Sequence, residues 1–151
     1  MGVLKLRKMY HKDYFIRLIQ QFIVFLAELA GLRQKNDPDV ILMKLEGAYL
    51  QFTGMSMTAL HSLTPEGIQT VFSSTGEVDY NRLLIVAVLF KEEADTLWSI
   101  KDIHSARILY MKAEKLFEYL EGADSKICSE FIEKYSILSE IKEKLIQTEL
   151  I

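Results

Sequence analysis

Proline, glycine and cysteine are all scarce in this sequence. Only two prolines and seven glycines occur among 151 residues, and half of the residues are hydrophobic. Collagen-like and disordered chains have the opposite composition, so these two classes are excluded and long regular elements are favoured. A chain of this length buries enough surface to fold without a metal or a disulfide. The sequence therefore predicts a folded protein with a single hydrophobic core.

The residues that usually hold metals are few and scattered. Cys128 is the sole cysteine, which excludes an intrachain disulfide and favours a reducing compartment. His11, His61 and His104 have no second ligand at the spacing of a zinc motif. We therefore predict no metal and no other cofactor. Cys128 lies on an apolar stripe with Phe131, and we expect a buried, inert thiol.

Patterns of catalytic chemistry are missing as well. The sequence contains no glycine-rich phosphate loop and no Gly-x-Ser-x-Gly. Glu92, Glu93 and Asp95 are close together, but neighbouring helical positions point in different directions. We interpret these acids as a solvated face and predict that the protein is not an enzyme.

Charge is distributed unevenly along the chain. The net charge is -3, yet residues 1–35 have seven basic and two acidic residues, or +5, and residues 36–151 have 11 and 19, or -8. Residues 1–12 have no clear hydrophobic period and predict a basic N-terminal arm. Such an arm permits weak binding of a nucleic acid, which is a second alternative to the function derived below. The basic side chains in question are Lys5, Arg7, Lys8, Lys12 and Arg17.

The apolar stretch after this arm is interrupted by polar side chains. These are Arg17, Gln20, Gln21 and Glu28. A membrane-spanning helix needs about 18 or more apolar residues in succession. We therefore expect that the protein does not contact a membrane. We also expect that it is cytoplasmic.

Helical periodicity predicts a single all-α domain over residues 13–151. Five long helices and one or two short ones are expected, the short ones between Met55 and Gly76. An acidic residue that can accept the free amide hydrogens precedes each of four helices, and a glycine closes three. The predicted N-caps are Asp13, Asp37, Asp79 and Asp102, and the predicted ends are Gly31, Gly54 and Gly122.

The run Leu83–Phe90 is apolar at all eight positions and would fit a buried strand. Good helix formers follow it without a turn signal, and together they make an element too long for an ordinary strand. We therefore predict a helix here. The last helix is predicted to run unbroken from about Ser125 to Thr148 as a capping helix. Its apolar stripe comprises Ile127, Phe131, Tyr135, Leu138, Ile141 and Leu145.

Small and aromatic residues recur in the second half at the spacing of a helical hairpin. The pattern is Phe90-x2-Glu93-Ala94-x2-Leu97, then Ala106-x3-Tyr110-x2-Ala113. Alanines at such positions let two helices approach closely. The pattern resembles one tetratricopeptide repeat, although Glu93 replaces the usual apolar residue. This resemblance implies antiparallel hairpins stacked as a short right-handed array.

The whole chain is also similar to an uncharacterised family of small bacterial proteins known only as a domain of unknown function. The likeness is carried by Asp13-Tyr14-x2-Arg17-Leu18-Ile19-x-Gln21 and by Gly76-Glu77-Val78-Asp79. It implies an all-helical fold and brings no activity with it.

Function therefore depends on the hairpin. In repeat proteins the first helix of a hairpin faces the groove that holds partner peptides, and the residues on that side here are Val88, Lys91, Asp95 and Trp98. We predict a module that binds a protein or peptide, or a second copy of itself as a homodimer. Trp98 is either an anchor for the partner or a core residue that closes the helix end. A sensor for a small apolar ligand or peptide, held between the first helix and Leu83–Phe90, is the other alternative.

Overall fold

The computed structural model describes the backbone of residues 2–73, 76–123 and 125–150, and the side chains of these ranges from residue 13 onward. Every regular element in these ranges is an α-helix, which confirms the predicted all-helical class. The helices are α1 (Gly2–Gln34), α2 (Pro38–Thr53), α3 (Met57–His61), α4 (Pro65–Val71), α5 (Tyr80–Ser99), α6 (Ile103–Glu121), α7 (Lys126–Lys134) and α8 (Ile137–Glu149).

The chain divides into two compact units, Met1–Asp37 and Pro38–Ile151. The first unit consists of α1, which begins at Gly2. The prediction of an irregular arm over residues 2–12 is therefore wrong, and so is the prediction that the helix starts at Asp13. The arm is rich in leucine, lysine and arginine, which favour helix, and no breaker separates it from Asp13. The side chains of this stretch lie outside the described ones. Gly31 lies inside α1, and Asn36 at φ 54° takes the left-handed turn instead.

The segment Asp13–Gln34 of α1 is long and apolar enough to cross a membrane. Core helices of soluble proteins and signal sequences meet the same two criteria. The absence of a membrane span therefore stays a prediction.

Helix α5 is the central element of the second unit and packs against α2, α6 and α7. All eight residues of Leu83–Phe90 are buried, which confirms the helix predicted for this run. An α-helix turns its side chains through a full circle every 3.6 residues. Eight consecutive buried positions therefore require neighbours on every side of α5.

Helices α5 and α6 form the most extensively packed pair. Ala94 and Ala106 are both fully buried, consistent with the predicted close approach of the two helices. The Asp102 carboxylate accepts a hydrogen bond of 3.3 Å from the Ser105 amide and caps α6, as predicted. Lys101 turns the chain between the two helices with φ 66°.

The other predicted helix boundaries of this unit are largely confirmed. Gly54, with φ 77°, follows the end of α2, and Gly122 caps the end of α6. The Asp79 side chain accepts from the Arg82 amide at the start of α5. Two short helices, α3 and α4, occupy the stretch in which one or two were expected.

The predicted unbroken last helix is wrong, because it is divided into α7 and α8. The chain breaks at Ser136, a non-glycine residue with φ 51° whose side chain makes no cap hydrogen bond. The buried apolar positions step from Ile132 to Ile137, five residues apart, whereas one face of a straight helix repeats every three or four. The break thus rotates the buried face. Ile127 and Tyr135 of the predicted stripe are 51% and 45% exposed.

Candidate functional site

The predicted partner-binding residues are not equally accessible on α5. Val88 is 3% exposed and belongs to the core, so its side chain is covered by the rest of the protein. Lys91, Asp95 and Trp98 are half-buried. Positions 91, 95 and 98 follow the three- and four-residue steps of one helix face. The structure therefore keeps three of the four predicted residues at an accessible surface.

A pocket of about 380 Å³ adjoins Lys91 and Asp95. Its walls come from α5, α6 and α8, and we call it the α5–α8 pocket. The lining is mostly polar and includes charges of both signs, which suits a charged or zwitterionic surface group better than an apolar molecule. The lining residues are Lys91, Asp95, Tyr110, Glu140, Ile141, Glu143, Lys144 and Gln147.

Lys91 is the electrostatic centre of this pocket. Its Nζ lies 3.0 Å from Asp95 Oδ2, 3.4 Å from Glu140 Oε2 and 3.9 Å from Glu92 Oε1. Burial lowers the pKa of Lys91, but the surrounding carboxylates outweigh burial and raise it. Lys91 therefore stays charged and joins α5 to α8 through Glu140.

Trp98 lies at the edge of the same surface. Its ring meets that of Tyr110 edge to face, with centroids 6.3 Å apart, and Lys144 Nζ of α8 lies 4.5 Å from its ring centroid. A cation at this distance is attracted by the negative face of the indole. Tyr110 also donates a hydrogen bond to the Asp95 carboxylate. The chain's own α8 therefore contacts the aromatic residue that was predicted as a partner anchor.

A second polar cluster lies between α2, α3 and α5 and centres on Glu93. Glu93 is only 5% exposed, and its Oε1 accepts from the Tyr49 hydroxyl at 2.7 Å. His61 Nε2 lies 2.8 Å from the same oxygen. We call these three residues the Glu93 network.

The Glu93 network is built to connect helices. Burial raises the pKa of Tyr49, and the charge and the hydrogen bond of Glu93 raise it further, so the phenol stays protonated and is a poor nucleophile. Lys112 Nζ of α6 donates to the His61 carbonyl at 2.5 Å and to the Leu63 carbonyl at 3.0 Å. These contacts satisfy carbonyl groups left free at the end of α3. Burial lowers the pKa of Lys112.

Sequence reasoning missed the Glu93 network. Glu93 was interpreted as part of a solvated face, which is wrong because its side chain is buried with partners. A signal existed: Glu93 lies three residues after Phe90 and four before Leu97, inside an apolar stripe. A charge at such a position is buried only with hydrogen-bonding partners. Its partners Tyr49 and His61 are 44 and 32 residues away, beyond any local pattern.

Cys128 lies in the buried environment that its position on an apolar stripe predicted. It is fully buried, and its thiol lies 3.5 Å from the Tyr80 carbonyl, to which it donates. Burial raises the pKa of this thiol, so the reactive thiolate is disfavoured. The contact anchors α7 to the start of α5.

Within the described ranges, no group of three or more His, Cys, Asp or Glu side chains is placed to hold a metal ion. Of the five basic residues proposed for nucleic-acid contact, four lie among the undescribed side chains and Arg17 is exposed. Comparison with protein-family models, with curated proteins and with solved structures finds no match to this chain. The two family resemblances carried by the sequence therefore stay predictions.

Proposed function

We propose that this protein is a non-enzymatic interaction module that binds a protein partner on the α5 surface formed by Lys91, Asp95 and Trp98. The observation that carries the proposal is that these three half-buried residues lie on one face of α5 beside the α5–α8 pocket, where an amphipathic helix of the same chain, α8, covers part of them. A half-buried indole flanked by charges of both signs has the composition of an interface hot spot. We further propose a cytoplasmic location.

The chain itself supplies an example of what this surface accepts. Helix α8 lies across it with Glu140 on Lys91, Lys144 on Trp98 and the fully buried Ile141 between them. Glu140 and Lys144 are one turn apart on one face of α8, and Ile141 lies on the adjoining buried face. Helix α8 is therefore an amphipathic helix that meets this surface, as in helix-in-groove recognition. A partner is therefore expected to present an amphipathic helix of similar pattern.

The architecture that fits this function is a short right-handed stack of helical hairpins, similar to tetratricopeptide repeats. The close packing of α5 on α6 around the buried Ala94 and Ala106 supports it. Such stacks present the first helix of each hairpin on one continuous surface. The non-enzymatic character is supported by the Glu93 network, in which the side chains satisfy one another and Tyr49 is held protonated.

A quantitative pull-down tests the proposal. Immobilised wild-type protein and Trp98→Ala are exposed to lysate of the source organism, and the retained proteins are quantified by mass spectrometry. Loss of a hot-spot tryptophan costs about 2 kcal/mol or more of binding free energy, so partner recovery should fall at least about tenfold.

Lys115→Ala is the matched control, because Lys115 is exposed on α6 and does not line the α5–α8 pocket. It should retain the partners at the wild-type level. Thermal unfolding establishes that both variants are folded at the assay temperature. Equal recovery of every protein by wild type and Trp98→Ala would remove this surface from the proposal.

A further inference from the structure

We propose that α8 exchanges between two copies of this chain, so that the α8 of each copy binds the α5–α6 surface of the other. The α5–α6 surface is the part of α5 and α6 that contacts α8 and comprises Lys91, Trp98 and Glu118. The exchange requires Ser136 to leave its left-handed conformation and α7 and α8 to join as one helix. This inference rests on the proposed function, because it names a second copy as a partner of the same surface.

The link between α7 and α8 is the weak point of the bent arrangement. Ser136 has φ 51°, a conformation that costs a residue with a Cβ atom free energy relative to the right-handed helix. Its side chain does not cap α8. No glycine or proline lies between Ile127 and Leu150, so the sequence itself offers no reason for the helix to stop. Docking of α8 on its own α6 and α5 therefore holds the bend.

The apolar pattern of the sequence also fits a straight helix. In one continuous helix, Ile127, Phe131 and Tyr135 are followed at helical spacing by Leu138, Ile141 and Leu145, and all six share a face. In the bent form Ile127 and Tyr135 are large exposed hydrophobic residues. The sequence is therefore compatible with a straight helix, and because α7 stays docked through Cys128 and Ile132, Ile127 and Tyr135 keep their exposure in both forms.

Length permits the exchange. The 9 residues of α7, the 13 of α8 and the two between them make a helix about 36 Å long. Cys128 and Ile132 keep the first part of this helix anchored to the core. The second part then projects away from its own α5–α6 surface and leaves that surface open to an identical helix.

The contacts that α8 makes in one copy are the contacts that a second copy would make. Lys91 to Glu140, Trp98 to Lys144 and Glu118 to Lys142 all join α8 to α5 or α6. Exchange preserves each of them and removes the strained link. Because two identical surfaces are satisfied reciprocally, the product is a closed dimer.

Substitutions at the hinge test the mechanism in the full chain. Ser136→Gly accepts the left-handed conformation, whereas Ser136→Ala favours continuous helix. Sedimentation velocity over a range of concentrations should give a dimer fraction that rises in the order Gly, Ser, Ala, with at least about a tenfold difference in dimerisation constant between the two variants. A dimer fraction that does not respond to residue 136, or a strictly monomeric Ser136→Ala, overturns the exchange.

Charge reversal provides a second test that does not depend on the hinge. Lys91→Glu alone and Glu140→Lys alone each place like charges between α8 and α5 of the same copy. In an exchanged heterodimer of the two variants, both contacts again join opposite charges. Native mass spectrometry of the mixture should therefore find heterodimer above the random-pairing share, and the excess should disappear at high salt.

Glu133→Lys is the matched control, since Glu133 is exposed on α7 and precedes the exchanged segment. Mixed with Lys91→Glu, it should give no excess heterodimer. Random pairing in the Lys91→Glu and Glu140→Lys mixture would overturn the exchange even if Ser136→Ala failed to fold. Partner retention by wild type and Trp98→Ala is measured separately, so a monomeric protein that still retains another protein contradicts the exchange alone.

Discussion

The α5–α6 hairpin and the α7–α8 pair follow each other in the chain, but their helix boundaries have different causes. The hairpin has an aspartate cap at each helix start and a short turn at Lys101, and its helix starts lie where the sequence places them. The α7–α8 pair has an uninterrupted helical pattern and is nevertheless broken at Ser136. Local signals and tertiary packing agree in the first case, and packing overrides the local signals in the second.

The two regions also differ in how much apolar surface they bury. Ala106, Tyr110, Ala113, Leu116, Phe117 and Leu120 of α6 are all fully buried. In α7 the buried residues are Cys128 and Ile132, and Ile127 is half exposed. We therefore expect the hairpin to provide most of the unit's stability and the α7–α8 pair to be the part that rearranges.

Truncation of matched aliphatic residues gives the largest expected contrast. Leu116→Ala in α6 should lower the free energy of unfolding by about 2 to 5 kcal/mol, because it leaves a cavity in the core. Ile127→Ala in α7 should change it by no more than about 0.5 kcal/mol, because that side chain is 51% exposed. Chemical denaturation of the two variants measures the difference. Similar losses would show that α7 is as firmly packed as the hairpin.

Tyr49→Phe examines the polar attachment of α5. The phenol donates to the buried Glu93 carboxylate, and loss of a hydrogen bond to a charged group should cost about 2 kcal/mol at neutral pH. The raised pKa of Tyr49 adds a pH dependence. The unfolded chain releases the phenolic proton first, so this contribution is complete below about pH 10 and declines as pH rises towards the folded pKa.

Denaturant unfolding is measured at several alkaline pH values. The difference in unfolding free energy between wild type and Tyr49→Phe should become smaller above about pH 10. The control is Tyr14→Phe, since Tyr14 is 51% exposed. A constant gap across this range would mean that the ionisation of Tyr49 is not linked to folding.

Glycine at the two left-handed turns tests whether the hinge and the hairpin turn carry the same local strain. Lys101 and Ser136 have φ 66° and 51°. Each glycine substitution should raise the melting temperature, with a gain of up to about 1 kcal/mol in unfolding free energy. Differential scanning calorimetry of Lys101→Gly, Ser136→Gly and wild type measures the three melting temperatures. A gain at Lys101 without one at Ser136 would indicate that Ser136 is relieved by other contacts.

The ion pair between α5 and α8 should have the smallest effect. Glu140 is 57% exposed at its side chain, so solvent screens its contact with Lys91. Glu140→Gln should lower stability by less than about 0.5 kcal/mol, and the loss should vanish in high salt. A larger, salt-independent loss would mean that the contact is better shielded than its exposure indicates.

Sequence reasoning located what depends on neighbours along the chain. The N-caps at Asp79 and Asp102, the glycine at position 54 and the helical state of Leu83–Phe90 all follow from short patterns. The break at Ser136 could not be predicted from such patterns, because it depends on which face of α8 packs against α6. The Glu93 network did not follow either, since its three residues come from three separate helices. The spacing of Val88, Lys91, Asp95 and Trp98 predicted that they share one side of α5. It could not predict that Val88 is buried in the core, because burial depends on the neighbouring helices. The role of the other three residues in binding stays a prediction.

The complete burial of Leu83–Phe90 has a consequence for synthesis on the ribosome. These eight residues leave the exit tunnel before α6 and α7, which cover them in the finished protein. Translation at about 5 to 20 residues per second delays that cover by a time on the order of seconds. During this interval the nascent chain exposes this run of eight apolar residues, and exposed apolar surface of this kind makes a chain prone to aggregation.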